Sequence, residues 1–383
     1  MEKEEAKEAP DLLAGGADAE SEMSRSARNN LVMLTQNAQL QRLALLLRNN
    51  EQVLMRRVVM TERERVQYLQ TVNDAYRDSM RLVDDSTAFK DSQSVSGGSR
   101  SIIARDVHDY VIYGINMCLQ NVRNSCMRHD AIAKLRSHYD ALTEALAAAT
   151  TDEDLSTLAA EAADYKDSMW EYCHRFRSAS ARARSKAYSD VLKLQGIELP
   201  DLLKTHQVKL GYSRNKEFED LDDAHKLDVY NSIIDESKRA TIRLFSTASR
   251  QSRIKGKTVA HAVSVFIIAA GNMVYDIYTT EHNVEQVLRG SLNVLAAVGA
   301  FAVEAVVTKA VTTALVRAGL GIFVTSLAGF VIGAIAGLIF VTVSGLIIDR
   351  IVRSPRVPPI ADLKFHTAVM PDGMSLAIAI SRG

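Results

Sequence analysis

The sequence predicts an all-α protein: an elongated bundle of long helices enclosing a hydrophobic helical hairpin, with a small C-terminal β-hairpin. Three observations carry that prediction. No proline occurs between Asp11 and Leu199, and this stretch is rich in Leu, Ala, Arg, Glu, Gln and Met, the better helix formers. Apolar residues recur through it at spacings of three, four and seven, the signature of a helix that buries one stripe. The final third then holds long apolar runs, one of which, Ala318 to Ile348, carries no charged side chain.

Residues 1–23 hold Glu2, Glu4, Glu5, Glu8, Asp11, Asp18, Glu20 and Glu22 around Pro10 and Gly15-Gly16. So few apolar residues cannot offset the entropy of ordering, which predicts a disordered acidic tail. Residues 24–257 read as a long amphipathic bundle. Its first helical region, about 24 to 88, carries Leu40, Leu43, Leu47, Leu54 and Val58, then Leu69, Val72, Tyr76, Met80 and Val83. The polar segment 91–100, with Ser96-Gly97-Gly98-Ser99 at its centre, predicts a bend. A second helix follows over about 101–149, with Val107, Val111, Ile115, Cys118 and Val122 on its apolar face. A third begins at Thr151, whose hydroxyl is placed to cap it ahead of Asp152, Glu153 and Asp154 at the positive end of the dipole. Gly196 and Pro200 close it. After a polar connector over 200–219, a fourth helix is expected over 221–251, with Leu227, Tyr230, Ile233, Ile234, Ile242 and Leu244 apolar.

Residues 258–353 form the hydrophobic region. The first segment, Thr258 to Tyr275, has only His261 and Asn272 as strongly polar side chains and is preceded by Arg253, Lys255 and Lys257. That basic cluster suits anionic head groups, at about 1 kcal/mol per charge near a membrane surface; it equally suits a solvated loop. The second segment, Gly290 to Val316, is interrupted by Glu304 and Lys309 and followed by Arg317. Ionisable groups are costly in lipid and face a partner or an aqueous lumen when they occur there. The third segment, Ala318 to Ile348, would extend about 46 Å as a helix, against a bilayer core of about 30 Å. It can cross once with tilt or fold back on itself.

Within that last segment Gly321, Thr325, Gly329, Gly333, Gly337 and Gly345 fall at multiples of four, interrupted only by Val341. Each glycine costs about 1 kcal/mol of helix stability against alanine. In lipid, close backbone approach through small residues is a main source of helix association, so the stripe suits a membrane. A helix apolar all round also suits the centre of a large core, and for 258–275 taken alone the buried-core reading is the favoured one. In residues 354–383, Phe365, Thr367 and Val369 alternate, Pro371-Asp372-Gly373 make a turn, and Leu376, Ile378 and Ile380 alternate again, predicting a β-hairpin.

Composition excludes several functions. Lys plus Arg and Asp plus Glu are equal at 46 each, so no global charge recruits nucleic acid. The run Arg175, Arg177, Arg182, Arg184 and Lys186 lacks interleaved stacking aromatics beyond Phe176 and Tyr188 and reads as a solvated helix face. Trp170, Tyr172 and Phe176 read as a core patch. Cys118, Cys126 and Cys173 match neither a zinc pattern nor a disulfide framework and read as small buried hydrophobes. The scattered histidines lack metal-ligand spacing, and HExxH, CxxC, GxSxG, phosphate-loop and EF-hand patterns are absent from the sequence. No enzyme, metal or cofactor is expected. The acidic N-terminus lacks the basic-then-apolar order of a secretory signal, so the expected location is soluble, in the cytosol or released by another route.

Long proline-free helices around a hydrophobic hairpin, with the segments GAFAVEAVVTKAVTTALVRAG and GIFVTSLAGFVIGAIAGLIF as carriers, make the chain resemble the α-helical pore-forming toxins of the cytolysin A type, which include helical insecticidal proteins. The resemblance covers about residues 24 to 353 and is architectural. It implies a soluble protein that meets a target membrane, with or without a receptor, inserts its hairpin and assembles into a homo-oligomer. In that family the apolar insertion lies between long helices. Here only about thirty residues follow it, a placement closer to the colicin pore-forming domains. Two other readings fit the same residues: a constitutive membrane protein whose long helices form a cytosolic scaffold, with Arg350 and Arg353 on the cytoplasmic side, and a soluble interaction bundle with a buried hairpin.

Overall fold

The computed structural model describes residues 32–56, 62–95, 97–122, 125–176, 178–197, 199–216, 218–240, 257–279, 371 and 373–382. Among these the protein is all-α, with ten α-helices, one short 3₁₀ turn and no strand. In chain order the helices are α1 (Asn37–Met55), α2 (Glu62–Ser94), α3 (Gly98–Asn121), α4 (Ser125–Ala148), α5 (Asp152–Phe176), α6 (Ala179–Leu194), α7 (Leu199–Lys209), α8 (Asp223–Glu236), α9 (Lys257–Thr279) and α10 (Gly373–Arg382).

Most positions of the predicted apolar stripes face the core, while Leu54, Leu69 and Tyr76 are half-buried and Val58 lies outside the described residues. Leu40, Leu43 and Leu47 of α1, Val72, Met80 and Val83 of α2, and Val107, Val111, Ile115, Cys118 and, just past its end, Val122 of α3 are all buried. So are Leu227, Tyr230, Ile233 and Ile234 of α8. Two helices are enclosed by the rest. The α3 helix packs against α1, α2, α4, α5 and α10, and α9 packs against α4, α5, α6 and α8.

The helices are shorter and more numerous than predicted, because several breaks use neither proline nor glycine. The second predicted helix divides where Val122 turns to an extended conformation (φ −90°, ψ 96°) and ends α3. The third divides at Ser178, whose side chain accepts a hydrogen bond from the Ala181 amide at 3.2 Å and starts α6. The bend expected over 91–100 narrows to residues around Val95 and Gly97, where Gly97 and Gly98 both adopt positive φ near 62°, open to glycine at no steric cost. The polar connector expected after Pro200 is partly helical. Leu199, Leu202, Leu203 and His206 are buried at i, i+3, i+4 and i+7, and proline in a helix's first turn forfeits no intrahelical bond.

The predicted start of α5 is built as a reciprocal capping box. The Thr151 hydroxyl accepts from the Asp154 amide at 3.1 Å, and the Asp154 carboxylate accepts from the Thr151 amide at 3.2 Å. These bonds hold the Asp154 carboxyl below its ordinary pKa.

The C-terminal β-hairpin needs correction. Its predicted second arm is the helix α10, with Gly373, Met374, Ala377, Ile378 and Ile380 buried. The alternation of Leu376, Ile378 and Ile380 coexists with a helical stripe through Met374, Ala377 and Ile378. Packing on α1 and α3 selects the helix. The first arm, 365–369, lies outside the described residues.

Candidate functional site

The α9 helix is the portion of the predicted hydrophobic region that the structure describes. Every described side chain from Val265 to Ala270 is buried, as are Ala262, Val263, Met273, Val274, Ile277 and Tyr278. Four helices cover it, so for residues 257–279 the buried-core reading holds. Its polar ties sit toward its two ends. The Thr258 hydroxyl donates to Glu161 at 3.4 Å, and the Ser264 hydroxyl donates to the His261 carbonyl at 2.7 Å. At the far end the Ser189 hydroxyl of α6 donates to the Ile277 carbonyl at 2.7 Å, one of the carbonyls a helix end leaves unpaired. The middle of α9 contacts its cover through apolar surface.

The mid-point of that cover is an aromatic cluster around one histidine. His138 of α4 is fully buried; its Nδ1 lies 2.7 Å from the Tyr110 hydroxyl of α3, while its Nε2 has no hydrogen-bond partner. The His138 ring meets Tyr110 and Tyr165 edge to face, with centroids 5.1 and 4.6 Å apart. Phe266 of α9 stands about 6 Å from the rings of Tyr110, Tyr165 and Tyr172. Burial, reinforced by His261, pushes the His138 pKa down to about 3, so the ring is neutral at physiological pH. Burial also raises the Tyr110 and Tyr172 hydroxyls well above their ordinary range.

A second polar construction occupies the C-terminal end of α3. The Asn116 side chain accepts from the Leu34 amide at 3.0 Å and donates to the Leu34 carbonyl at 2.8 Å. One helical turn on, the Gln120 side chain accepts from the Val32 amide at 3.2 Å and donates to the Val32 carbonyl at 2.7 Å. A further bond at 2.9 Å joins the two amides. Two side chains thus hold both backbone polar groups of Val32 and of Leu34, with the Leu34 side chain buried. The first residue of α10 seats on the same turn of α3. A Cβ on Gly373 would lie 2.1 Å from the Leu119 carbonyl oxygen and 3.0 Å from the Gln120 Cα, so only glycine permits this backbone approach.

Between α1 and α4, Glu51 and Arg128 form a buried ion pair, with Glu51 also 3.5 Å from the Tyr68 hydroxyl and Arg128 donating to the Val122 carbonyl at 3.2 Å. Burial lifts the Glu51 carboxyl above its usual range against the pull of Arg128.

Most of the sequence-predicted site residues are not among those described. Gly321, Thr325, Gly329, Gly333, Gly337, Gly345, Glu304, Lys309, Arg317, Arg253 and Lys255 all lie outside the described residues; Lys257 opens α9. In the basic run, Arg175 pairs with Glu171 at 3.0 Å and Arg184 donates to the Lys238 carbonyl at 3.4 Å, so these two serve the fold. Tyr172 is core, whereas Trp170 points to the opposite face, 37% exposed, against Tyr113 and His174. Cys118 and Cys173 are buried free thiols, as read from the sequence, and burial pushes Cys118 up to about 12. Sequence reasoning missed the His138 cluster and the Asn116–Gln120 pair. The visible signal for the pair was two amide side chains four residues apart on an otherwise apolar helix face.

No family model, curated protein or solved structure matches this chain. Among the described residues no group of three His, Cys, Asp or Glu is placed to hold a metal ion, and no helix is long and apolar enough to cross a membrane.

Proposed function

We propose that this protein permeabilises membranes: a helical pore-forming toxin or defence protein, stored in water with its apolar helices covered, that inserts the glycine-striped segment 318–348 into a target bilayer and oligomerises there. It acts without catalysis, metal or cofactor, and an insect target is the one the resemblance suggests. The observation that carries the reading is α9. An apolar helix, buried without a break from Val265 to Ala270, packs against four others, and the sequence continues beyond it into two longer apolar segments. Such segments need either lipid or a protein cover.

In this reading Gly321, Thr325, Gly329, Gly333, Gly337 and Gly345 form the face along which inserted helices pack. Glu304, Lys309 and Arg317 face a lumen or a partner, and Arg253, Lys255 and Lys257 meet anionic head groups. The test is dye release from liposomes by protein purified without detergent, across pH and lipid charge. Replacing Gly329, Gly333 and Gly337 with leucine keeps the segment apolar and is expected to abolish release; unchanged leakage removes the stripe from the mechanism.

The burial of α9 equally favours a second reading, a soluble interaction bundle whose apolar hairpin never leaves the core. It predicts no release under any lipid condition. A constitutive membrane protein, the third reading, requires detergent for solubility.

A further inference from the structure

The α6 helix has an apolar stripe on its outer side as well as a buried inner side. Inside, Ala181, Ser185, Ser189 and Leu192 are buried, and the helix packs on α9. Outside, Ala183, Ala187, Val191 and Leu194 recur at i, i+4, i+8 and i+11, one helical stripe, and all four are exposed, Leu194 at 85% and Val191 at 46%. Cations rim this stripe. At about 100° per residue, Lys186 and Lys193, both exposed, stand on one side of it and Arg184 on the other. The Arg184 guanidinium donates to the Lys238 carbonyl at 3.4 Å, which sets Lys238, also exposed, beside that second edge. Among the described residues none of these three lysine ammonium groups meets a carboxylate, whereas Lys166 and Lys209 are paired with Asp106 and Glu236. The one acid of α6 is Asp190, half-buried between Lys186 and Lys193. The backbone of Lys238 adds a second observation. Its φ of 59° is the one positive value outside glycine among the described residues. It closes α8 in a Schellman turn, where the Lys238 amide donates to the Asp235 carbonyl at 2.9 Å and the Arg239 amide to the Ile234 carbonyl at 3.2 Å. Glycine is the residue that position favours, and a lysine held there against the backbone's preference points to a use for its ammonium.

We propose that the outer face of α6 is a docking surface for an anionic membrane, with Val191 and Leu194 entering the interface and Lys186, Lys193 and Lys238 meeting the negative head groups. Charge complementarity selects this occupant. An apolar stripe with lysines along its edges is the composition of a helix lying in the plane of a lipid interface, whereas lysine is depleted where proteins meet proteins. The docking rests on the protein meeting a membrane at all, and it locates the first contact away from the segments that insert. It also brings lipid to the cover of α9. The inner side of α6 is mostly alanine and serine, so little apolar surface opposes its moving off α9 once its outer side is held.

The test is co-sedimentation of the full chain with vesicles of phosphatidylcholine alone and of phosphatidylcholine mixed with phosphatidylserine, with dye release read in the same samples. The parent is expected to bind the mixed vesicles, more weakly as salt rises, and to leave the neutral ones unbound. Replacing Lys186 and Lys193 together with glutamine is expected to weaken binding about 25-fold, at about fivefold per charge near an anionic surface. Val191→Ser with Leu194→Ser is expected to weaken it roughly tenfold or more through lost apolar burial. All four positions are exposed, and circular dichroism checks that the variants keep the fold. Val95→Ser, at a side chain 89% exposed in the bend before α3, is expected to bind like the parent. Mixed-vesicle binding that neither α6 variant weakens overturns the docking surface, and dye release persisting in those samples leaves the membrane reading standing. Binding that depends on α6 without any release keeps the docking surface and removes the pore. Equal binding to neutral vesicles, or an equal loss in Val95→Ser, overturns the assignment to α6 and its lysines. A parent that sediments with neither vesicle overturns it too, and a vesicle-free dimer broken by Leu194→Ser then makes the face an interface between copies.

Discussion

Acid is expected to weaken this fold through His138. The unfolded chain's imidazole titrates near 6.5, and in the folded protein burial among Tyr110, Tyr165 and Phe266 brings it to about 3. A folded pKa below the unfolded one means that the unfolded chain binds the extra proton first. Stability is therefore whole above pH 6.5 and is lost progressively as pH falls toward 3. Linkage puts the loss at about 2 kcal/mol at pH 5 and about 3 kcal/mol at pH 4 from this one group. Urea unfolding followed by circular dichroism at pH 7.5 and pH 5 measures the total, to which carboxylates and the other histidines also contribute. His138→Gln isolates the histidine: it retains a hydrogen-bonding group for the Tyr110 hydroxyl, 2.7 Å from Nδ1 in the parent, and cannot titrate. The variant is expected to lose about 2 kcal/mol less than the parent between those two pH values. Equal losses in parent and variant would refute the argument, because His138 would then be protonated as readily in the folded core as in water.

Three further outcomes follow from the packing. Gly373→Ala forces a Cβ against the Leu119 carbonyl; the misfit is expected to cost about 1–3 kcal/mol, seen as faster amide exchange in α10. Glu51→Gln leaves Arg128 buried without its counter-charge and is expected to cost about 3–5 kcal/mol in urea, whereas Glu51→Leu with Arg128→Met is expected to recover most of it. Ser178→Ala removes the side-chain acceptor of the Ala181 amide at the start of α6 and is expected to lower stability by about 1 kcal/mol in thermal unfolding.

Helix content and core stripes were legible because they are local. The spacing of Val107, Val111, Ile115, Cys118 and Val122 states a buried face without reference to any partner, and all five are buried. Thr151 followed by Asp154 states a helix start, and the capping box is there. Breaks at Val122 and Ser178 were less visible, since neither residue forbids a helix; Ser178 carried the cap signal, within a run of good helix formers. The C-terminal element was misread because Leu376, Ile378 and Ile380 satisfy a period of two while Met374, Ala377 and Ile378 satisfy a period of 3.6, and a ten-residue run cannot arbitrate. The Asn116–Gln120 pair was illegible for a different reason: its partners, Val32 and Leu34, lie more than eighty residues away. Nothing in the immediate sequence says what two amides on an apolar face will bind.

The chain contains a single tryptophan, and its setting determines what intrinsic fluorescence can see. Trp170 lies at the outer seam of α3 and α5, in contact with Tyr113 and His174, while the residues of α5 that face α9, Tyr165 and Tyr172, project from the other side of the same helix. Its emission therefore reports on whether α3 and α5 stay together, and is blind to a departure of α9 that leaves that seam closed. An unchanged spectrum under conditions that alter α9 is a sign of an intact outer shell, and a dye or a second indole placed near Phe266 is the optical probe that the inner helix requires.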